Sequence, residues 1–446
     1  MAMAARLWWN YFDEVMMTTV TNLSVWSASG GDEAFFSGVH TKLVKEAAAR
    51  RGVEIESVHQ SIFLLKHGGR TVLFDQHMPE LTSAASRSIS NDKHASKVFL
   101  ERAGVHTPKG EIFSYEDLEK GIKYANRIGY PVVIKPLTGT GGTGVTSNIQ
   151  NDEHFRAAWD NVGRAGSYIV EEHVDGTDYR LFVVNGRFIC AIKRIPVNIT
   201  GDGKSTVVEL IDKKNIERSV NPYVSTKKVR LRPEMLRILK THGFTKQSVI
   251  PDGVRIELMP VANIGTGGDS VDVTDMVYPG FAEIAVSAAH AIPGCFYAGV
   301  DLLVPDISRS PAEQTYAVCE INTRCDIGLH HFPVFGQARD AAGALIEAMF
   351  PNARPVPDAL KKKLKVTLRG PVIGTGTRKR IRNLASLNHI TGWVRNEGNE
   401  VKALMCGSES AVNRVLLMMA ARPSTFVSTE AWSGDSPDRF EILEGV

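Results

Sequence analysis

Apolar residues recur every three to four positions at Phe36, Val39, Leu43 and Ala47, and Gly52 follows. That spacing predicts an amphipathic helix with a glycine stop. Short apolar runs at 53–55, 62–65 and 71–74 predict strands, so residues 18–90 read as a small α/β unit behind a loose leader, 1–17. Over 91–354, helical and strand periods alternate in a larger α/β body. The stretch PNARPVPDALKKK (351–363) then breaks the pattern with prolines and reads as a linker over 355–363. Beyond it, over 364–446, come a strand (364–368), a glycine-bearing loop, a helix, two strands (392–394 and 401–405), a helix (408–419) and terminal strand-like runs. This βαββαβ order makes the chain α/β followed by α+β.

Composition changes the picture only by exclusion. At 446 residues, with 43% hydrophobic and 23% charged, the chain is long enough for about three domains and is neither fibrous nor wholly disordered. No apolar run approaches the ~18–20 residues of a membrane-spanning helix, and Met1 to Met17 lack the basic–apolar–small pattern of a secretion signal. Five cysteines (190, 295, 319, 325, 406) form no CxxC, the expectation for reduced thiols in a cytoplasm. The net charge of +3 does not call for nucleic acid. It is uneven, because residues 361–446 hold 14 basic against 8 acidic side chains. The C-terminal part is therefore expected to meet an anion.

Candidate chemistry concentrates in a few stretches. In YPVVIKPLTGTGGTGV (130–145) a strand delivers Lys135 and then a loop whose glycines let backbone N–H groups approach phosphate oxygens; Thr140, Gly141, Gly142, Thr143 and Gly144 belong to it. Gly139-x-Gly141-x-x-Gly144 also spells the dinucleotide fingerprint, which requires a helix at the glycines. Residues 145–149 are strand-like instead, and the next helix is expected from the Asn151–Asp152 cap. A flexible turn without a ligand is the bland alternative. Lys93 opens an amphipathic helix within SNDKHASKVFLERAGVHTPKG (90–110), and by itself reads as a solvated lysine. The apolar strand in YIVEEHVDGTDYR (168–180) runs into Glu171, Glu172 and Asp178, carboxylates suited to an amino group and ribose hydroxyls. AGVDLLV (298–304) and CEINT (319–323) are apolar strands carrying Asp301, Glu320 and Asn322. Side chains repeat every second residue along a strand, so Glu320 and Asn322 share a face, and the three are hard oxygen ligands of the kind Mg²⁺ accepts. Two decoys fail on spacing. Gly203-Lys204-Ser205 imitates a P-loop end, yet Asn198 stands where its first glycine is needed. Cys319, Cys325, His330 and His331 match no common zinc spacing.

Taken in this order, the elements resemble the ATP-grasp superfamily over about 91–351. The likeness is tighter to the branch that contains cyanophycin synthetase and the ligase half of bifunctional glutathione synthetases. AIKRIPVNITGDGKSTVVELIDKKN (191–215), NIGTGGDSVDVTD (263–275) and GLHHFPVFGQARDAAGALIEAMFP (328–351) carry it. The resemblance implies two lobes gripping ATP, with Lys93 and Lys135 on its phosphates under the 138–144 loop. It further implies Glu171 and Val174 at the adenine, Asp178 at the ribose, and Asp301, Glu320 and Asn322 on Mg²⁺, for which Mn²⁺ can substitute. Arg194 matches the residue that steadies the transferred phosphate. Arg324-Cys325-Asp326 stands where relatives carry small residues or proline. Arg324 is therefore expected either at the substrate carboxylate or in a salt bridge to Asp326.

The C-terminal stretches RGPVIGTGTRKR (369–380) and GWVRNEGNEVKALMCG (392–407) resemble acylphosphatase, a ferredoxin-like βαββαβ enzyme. There Arg378 would cradle a phosphoryl group and Asn396 orient water, while Thr375 and Thr377 replace the usual valine and aromatic. The combined expectation is an ADP-forming ligase that joins a carboxylate to an amine through an acyl-phosphate. Its expected partners are amino acids or peptides and further copies of itself, without nucleic acid or membrane. Three alternatives stay open: an acyl-phosphate hydrolase with a regulatory ATP site, a peptide ligase with an inactive C-terminal scaffold, and a non-enzymatic binder of anions or nucleic acid through the basic tail.

Overall fold

The computed structural model describes residues 38–445 except 60, 138–143, 163–165, 220, 222, 355–360, 375–376, 388–389 and 421–425. The leader 1–17, Phe36, loop residues Thr140, Gly141, Gly142 and Thr143, most of the linker, and Thr375 lie outside them. The chain divides into two compact units, one of residues 72–207 and 230–326, the other of the remainder.

The first unit holds a four-stranded and a five-stranded sheet, besides the two-stranded pair Asn198–Thr200 with Arg255–Glu257. Helices α1 (Ala84–Asn91) and α2 (Lys93–Arg102) lead in. Asp92 starts α2 by accepting from His94 N and Ala95 N, 2.9 Å each, which satisfies two of the helix's orphan donors. Then come β1 (Gly110–Ser114), α3 (Leu118–Ile128), β2 (Val132–Pro136), β3 (Thr146–Ile149), α4 (Asp152–Asn161) and β4 (Ser167–Glu172). Asn151 caps α4 as its sequence predicts, accepting from His154 N at 2.9 Å. These strands form an antiparallel sheet in the order β1-β4-β2-β3. Its core joins Phe113, Ile122, Val132, Ile134, Phe155, Trp159 and Tyr168, with Phe155 and Trp159 stacked 5.5 Å apart. β2 and β3 are antiparallel neighbours, so the glycine-bearing segment, of which 138–143 lie outside the described residues, leads from a strand into a strand. The dinucleotide reading, which needs a strand-to-helix turn, is excluded. The loop's last glycine, Gly144, has φ +74°, and a Cβ there would stand 3.0 Å from Pro136 Cγ; both requirements favour glycine.

The second sheet contains β5 (Thr177–Val184), β6 (Arg187–Ile195), β7 (Asp269–Asp272), β8 (Tyr297–Val304) and β9 (Ala317–Asn322), antiparallel in the order β7-β6-β5-β8-β9. Helix α5 (Pro279–Ala291) precedes β8 and buries Phe281, Ala285, Ala288 and Ala289. The P-loop look-alike is structural. Asp202 accepts from Lys204 N and Ser205 N, closing a turn on itself, and Asn198 donates to Asp269 and Pro196 O.

In the second unit, the helix Val39–Ala49 buries Val39, Leu43, Val44 and Ala47, and packs on the helix Ala341–Met349. Asp340 caps the latter, accepting from Gly343 N at 2.9 Å, and lies 3.4 Å from Arg50 and 3.7 Å from Arg51. His331 is fully buried and its Nε2 accepts from Ala342 N at 2.9 Å, so it serves as a neutral helix-end acceptor. Among the described residues no group of three or more His, Cys, Asp or Glu is arranged to hold a metal, and no helix is long and apolar enough to cross a membrane. The C-terminal part of this unit contains β10 (Lys361–Arg369), α6 (Thr377–Leu387), β11 (Thr391–Glu397), β12 (Glu400–Ser408), α7 (Glu409–Ala420), β13 (Phe426–Ala431) and β14 (Phe440–Ile442). Its sheet runs β13-β10-β12-β11-β14. Strand β14 adds a parallel edge to β11, which the sequence showed only as an unassigned strand-like run.

Candidate active site

Two sets of charged side chains are built on the four-stranded and the five-stranded sheet of the first unit. The first centres on Glu171, at the end of β4. Lys135 Nζ on neighbouring β2 lies 2.5 Å from its Oε1, and Lys97 Nζ on α2 lies 2.7 Å from its Oε2 without hydrogen-bond alignment. Lys97 Nζ also donates to Pro108 O. All three side chains are at most 10% exposed. Burial works against each charge. Even so, the two ammoniums hold the Glu171 carboxyl below its ordinary value, and Glu171 keeps Lys135 above its own. Lys97 is pulled down by burial, which Glu171 only partly offsets. The Glu171 side chain thus faces two lysines. Glu172 accepts from Lys109 N at 3.0 Å. Val174 lines a cavity of about 500 Å³ that His173, Asp175, Pro305, Asp306 and Arg309 also wall.

The second set is a row of charges crossing one face of the five-stranded sheet. In register, Arg194 (β6) is opposite Asp178 (β5), Arg180 (β5) opposite Asp301 (β8), and Asp301 opposite Glu320 (β9). Arg194 donates to Asp178 Oδ1 from Nε at 2.8 Å and from Nη2 at 2.6 Å, and its Nη2 lies 2.9 Å from Asp301. Arg180 grips Asp301 with both ends of its fork, at 2.7 and 2.8 Å. Asn322 Nδ2 donates to Asp301 Oδ2 at 3.4 Å. A register shift between Asp301 and Leu302 puts a bulge beside the site. Gly299 makes room for the row, since a Cβ there would come within 3.0 Å of Arg180 Cδ and 2.9 Å of Cys325 Cβ.

The pairing dictates the protonation pattern. Burial opposes the Asp301 charge, but Arg180 and Arg194 hold its carboxyl below the ordinary value. Burial pushes Asp178 up to about 6 despite Arg194, and burial with the Asp301 charge pushes Glu320 up. Lys93, at the start of α2, joins the two sets: burial lowers it, Glu320 and Glu171 pull it up, and Lys135 pushes it down. Lys93, Lys135, Glu320, Asp301 and Asn322 therefore occupy one electrostatic neighbourhood. Asp178 and Arg194 meet each other, so as placed Asp178 serves an arginine. Arg324 lies 4.0 Å from Asp75 Oδ2, at the end of the strand Arg70–Asp75. The segment leading to it is tied down by Thr323 Oγ1, 2.8 Å from Ser90 Oγ on α1. In the C-terminal part, Arg378 sits in the first turn of α6 and Asn396 on β11, the strand that α6 packs against.

Sequence reasoning missed Lys97 and Arg180. Both carried a signal. Lys97 follows Lys93 by one helical turn, and Arg180 follows Asp178 by one strand repeat.

Comparison with known proteins adds what geometry alone does not. The family model for the carbamoyl-phosphate synthase L chain ATP-binding domain matches residues 92–229, and the acylphosphatase model matches 364–433. A bifunctional glutathione synthetase structure from Pasteurella multocida superposes with TM-score 0.56 at 28% identity, over 71% of this chain and 44% of that one. The chain contains an ATP-grasp domain. An acylphosphatase domain follows it. Among curated relatives, a cyanophycin synthetase of Nostoc sp. is 32% identical over 320 residues, 71% of this chain. A glutathione biosynthesis bifunctional protein of Desulfotalea psychrophila is 30% identical over 318 residues, 69% of this chain. The chain spans only 35% and 40% of those two relatives' lengths.

Proposed function

We propose that this chain joins a carboxylate to an amine at the expense of ATP, releasing ADP and phosphate by way of an acyl-phosphate. The observation that carries the reading is the convergence of Lys93 and Lys135 with Glu320 and Asp301. Cations that neutralise a transferring phosphoryl group stand beside hard-oxygen donors. A relative named cyanophycin synthetase and a structure named bifunctional glutathione synthetase support it.

In this reading Lys93 and Lys135 bind the nucleotide phosphates and the loop after β2 covers them. The adenine lies toward Val174 and its cavity, and Arg194 turns toward the transferred phosphate. Glu320 and Asn322 with Asp301 fit Mg²⁺: the donors are hard oxygens on one sheet face, and Glu320, raised by burial and then by Asp301, carries a charge that a cation would stabilise. Both Asp301 oxygens already accept from Arg180, so Asp301 would share them. The ion supplies charge neutralisation for phosphoryl transfer. The chain's own residues hold the carboxylate in line and keep water from the acyl-phosphate. Substrates are amino acids or short peptides, with Arg324 at the carboxylate of the acid. The domain boundaries follow the reading in sequence: 91–354 for the ligase and 364–446 for the acylphosphatase domain.

The test is a phosphate-release screen of paired amino acids and short peptides with ATP and Mg²⁺, read by product mass. Amide product with ADP is expected, with turnover requiring both partners and lost in Lys135→Ala. AMP with pyrophosphate, or unchanged turnover in Lys135→Ala, overturns the proposal. For the C-terminal domain we infer hydrolysis of acyl-phosphates, an editing step on intermediates made from the wrong acid. Binding alone separates acids one methylene apart by only ~1–3 kcal/mol, and the domain's excess of basic residues attracts such anions.

A further inference from the structure

Burying Lys97, Glu171 and Lys135 together presents an energetic oddity. A single lysine–glutamate pair would be neutral, and neutral pairs are already costly to bury. Here two ammoniums share one carboxylate, with side-chain exposures of 4%, 10% and 5% for Lys97, Lys135 and Glu171, so the cluster keeps a net positive charge. Several local features secure it. Lys97 stands one turn after Lys93 on α2, its Nζ is anchored on Pro108 O, and Gly110 leaves room beside Glu171, whose Cβ would lie 2.9 Å from any Cβ added there.

We propose that Lys97 is a positioning residue for nucleotide binding: by occupying one oxygen of Glu171 it prevents that carboxylate from fully neutralising Lys135, whose ammonium then stays available to a phosphate. This inference rests on the ATP-site reading above. Without Lys97, the whole charge of Glu171 falls on Lys135 at 2.5 Å, and a neutralised Lys135 attracts phosphate weakly. With Lys97 present the two cations compete for one anion, and Lys135 keeps an unsatisfied share. Lys97 touches no nucleotide in this account; it acts through Glu171.

Isothermal titration of the full chain with Mg·ADP and, separately, adenosine tests this. Adenosine lacks phosphates and is blind to Lys135. Lys97→Met should weaken Mg·ADP about tenfold or more, the loss of one charge-assisted contact, and leave adenosine within about twofold. Lys97→Arg should restore most of the Mg·ADP affinity. The double variant Lys97→Met/Glu171→Gln should bind Mg·ADP more tightly than Lys97→Met alone, because the carboxylate that captures Lys135 is gone. Those two variants keep the test open if Lys97→Met folds poorly in a thermal melt. Unchanged Mg·ADP affinity in Lys97→Met, equal losses for both ligands, or a double variant no better than the single overturns the inference while the ATP site stands. A wild-type chain that binds no Mg·ADP overturns the site reading itself, and this inference with it.

Discussion

Replacing Arg180 by glutamine isolates the electrostatic row of the five-stranded sheet. The Arg180 side chain is 14% exposed and its partner Asp301 6%, and the pair makes two hydrogen bonds of 2.7 and 2.8 Å. Removing one member of such a buried pair costs about 3–5 kcal/mol, because the remaining charge is left desolvated. Arg194, 2.9 Å from Asp301, stays in place and offsets part of that loss. The expected destabilisation is therefore ~2–4 kcal/mol. With an m-value of about 2–3 kcal/mol/M in urea, the unfolding midpoint should fall by roughly 0.7–2 M, read by circular dichroism and tryptophan fluorescence. Arg180→Gln/Asp301→Asn should be more stable than Arg180→Gln alone, since the stranded charge is gone. A midpoint shift below about 0.3 M, or a double variant less stable than the single, would refute the claim that Arg180 carries Asp301.

Three further outcomes are expected. Arg324→Lys should raise the Michaelis constant for the acid substrate and leave that for ATP nearly unchanged, because lysine cannot reproduce the planar fork; steady-state kinetics with each substrate varied checks it, and equal effects on both would assign Arg324 to its contact with Asp75. Arg378→Ala should abolish hydrolysis of benzoyl phosphate and leave amide formation intact; a wild-type chain that hydrolyses benzoyl phosphate no faster than buffer removes the editing role. Asp340→Ala should lose ~1 kcal/mol for the helix cap plus at most ~1 kcal/mol for the half-exposed arginine pairs, whereas Asp340→Asn keeps most of the cap. Against burial, Arg50, the Gly343 N–H and Arg51 hold the Asp340 carboxyl below its ordinary value. Its charge therefore stabilises above about pH 4 and ceases to as pH falls through the lowered value, so the gap to Asp340→Asn should close in acid melts.

Much of this architecture was legible in sequence because it depends on local periodicity. The α2 helix behind its Asp92 cap, the Asn151 cap of α4 and the apolar strands β8 and β9 all follow from spacing and end residues. Strand alternation alone put Glu320 and Asn322 on one face. The long motifs carried the ATP-grasp resemblance, and the stretches around Arg378 and Asn396 carried the acylphosphatase one.

Pairing across strands and between helix and sheet was decided only in three dimensions. No spacing rule brings Lys97 to Glu171 across 74 positions or Arg180 to Asp301 across 121. Sequence separation does not limit these contacts once strands β5, β8 and β9 and helix α2 are in place. Whether the glycine-bearing loop leads into a strand or a helix likewise depended on which strand β2 chose as neighbour. A carboxylate's function is set by its partners more than by its type. Glu171, legible as a strand-end acid, became the shared counter-ion of two lysines because burial leaves a charge no water to turn to.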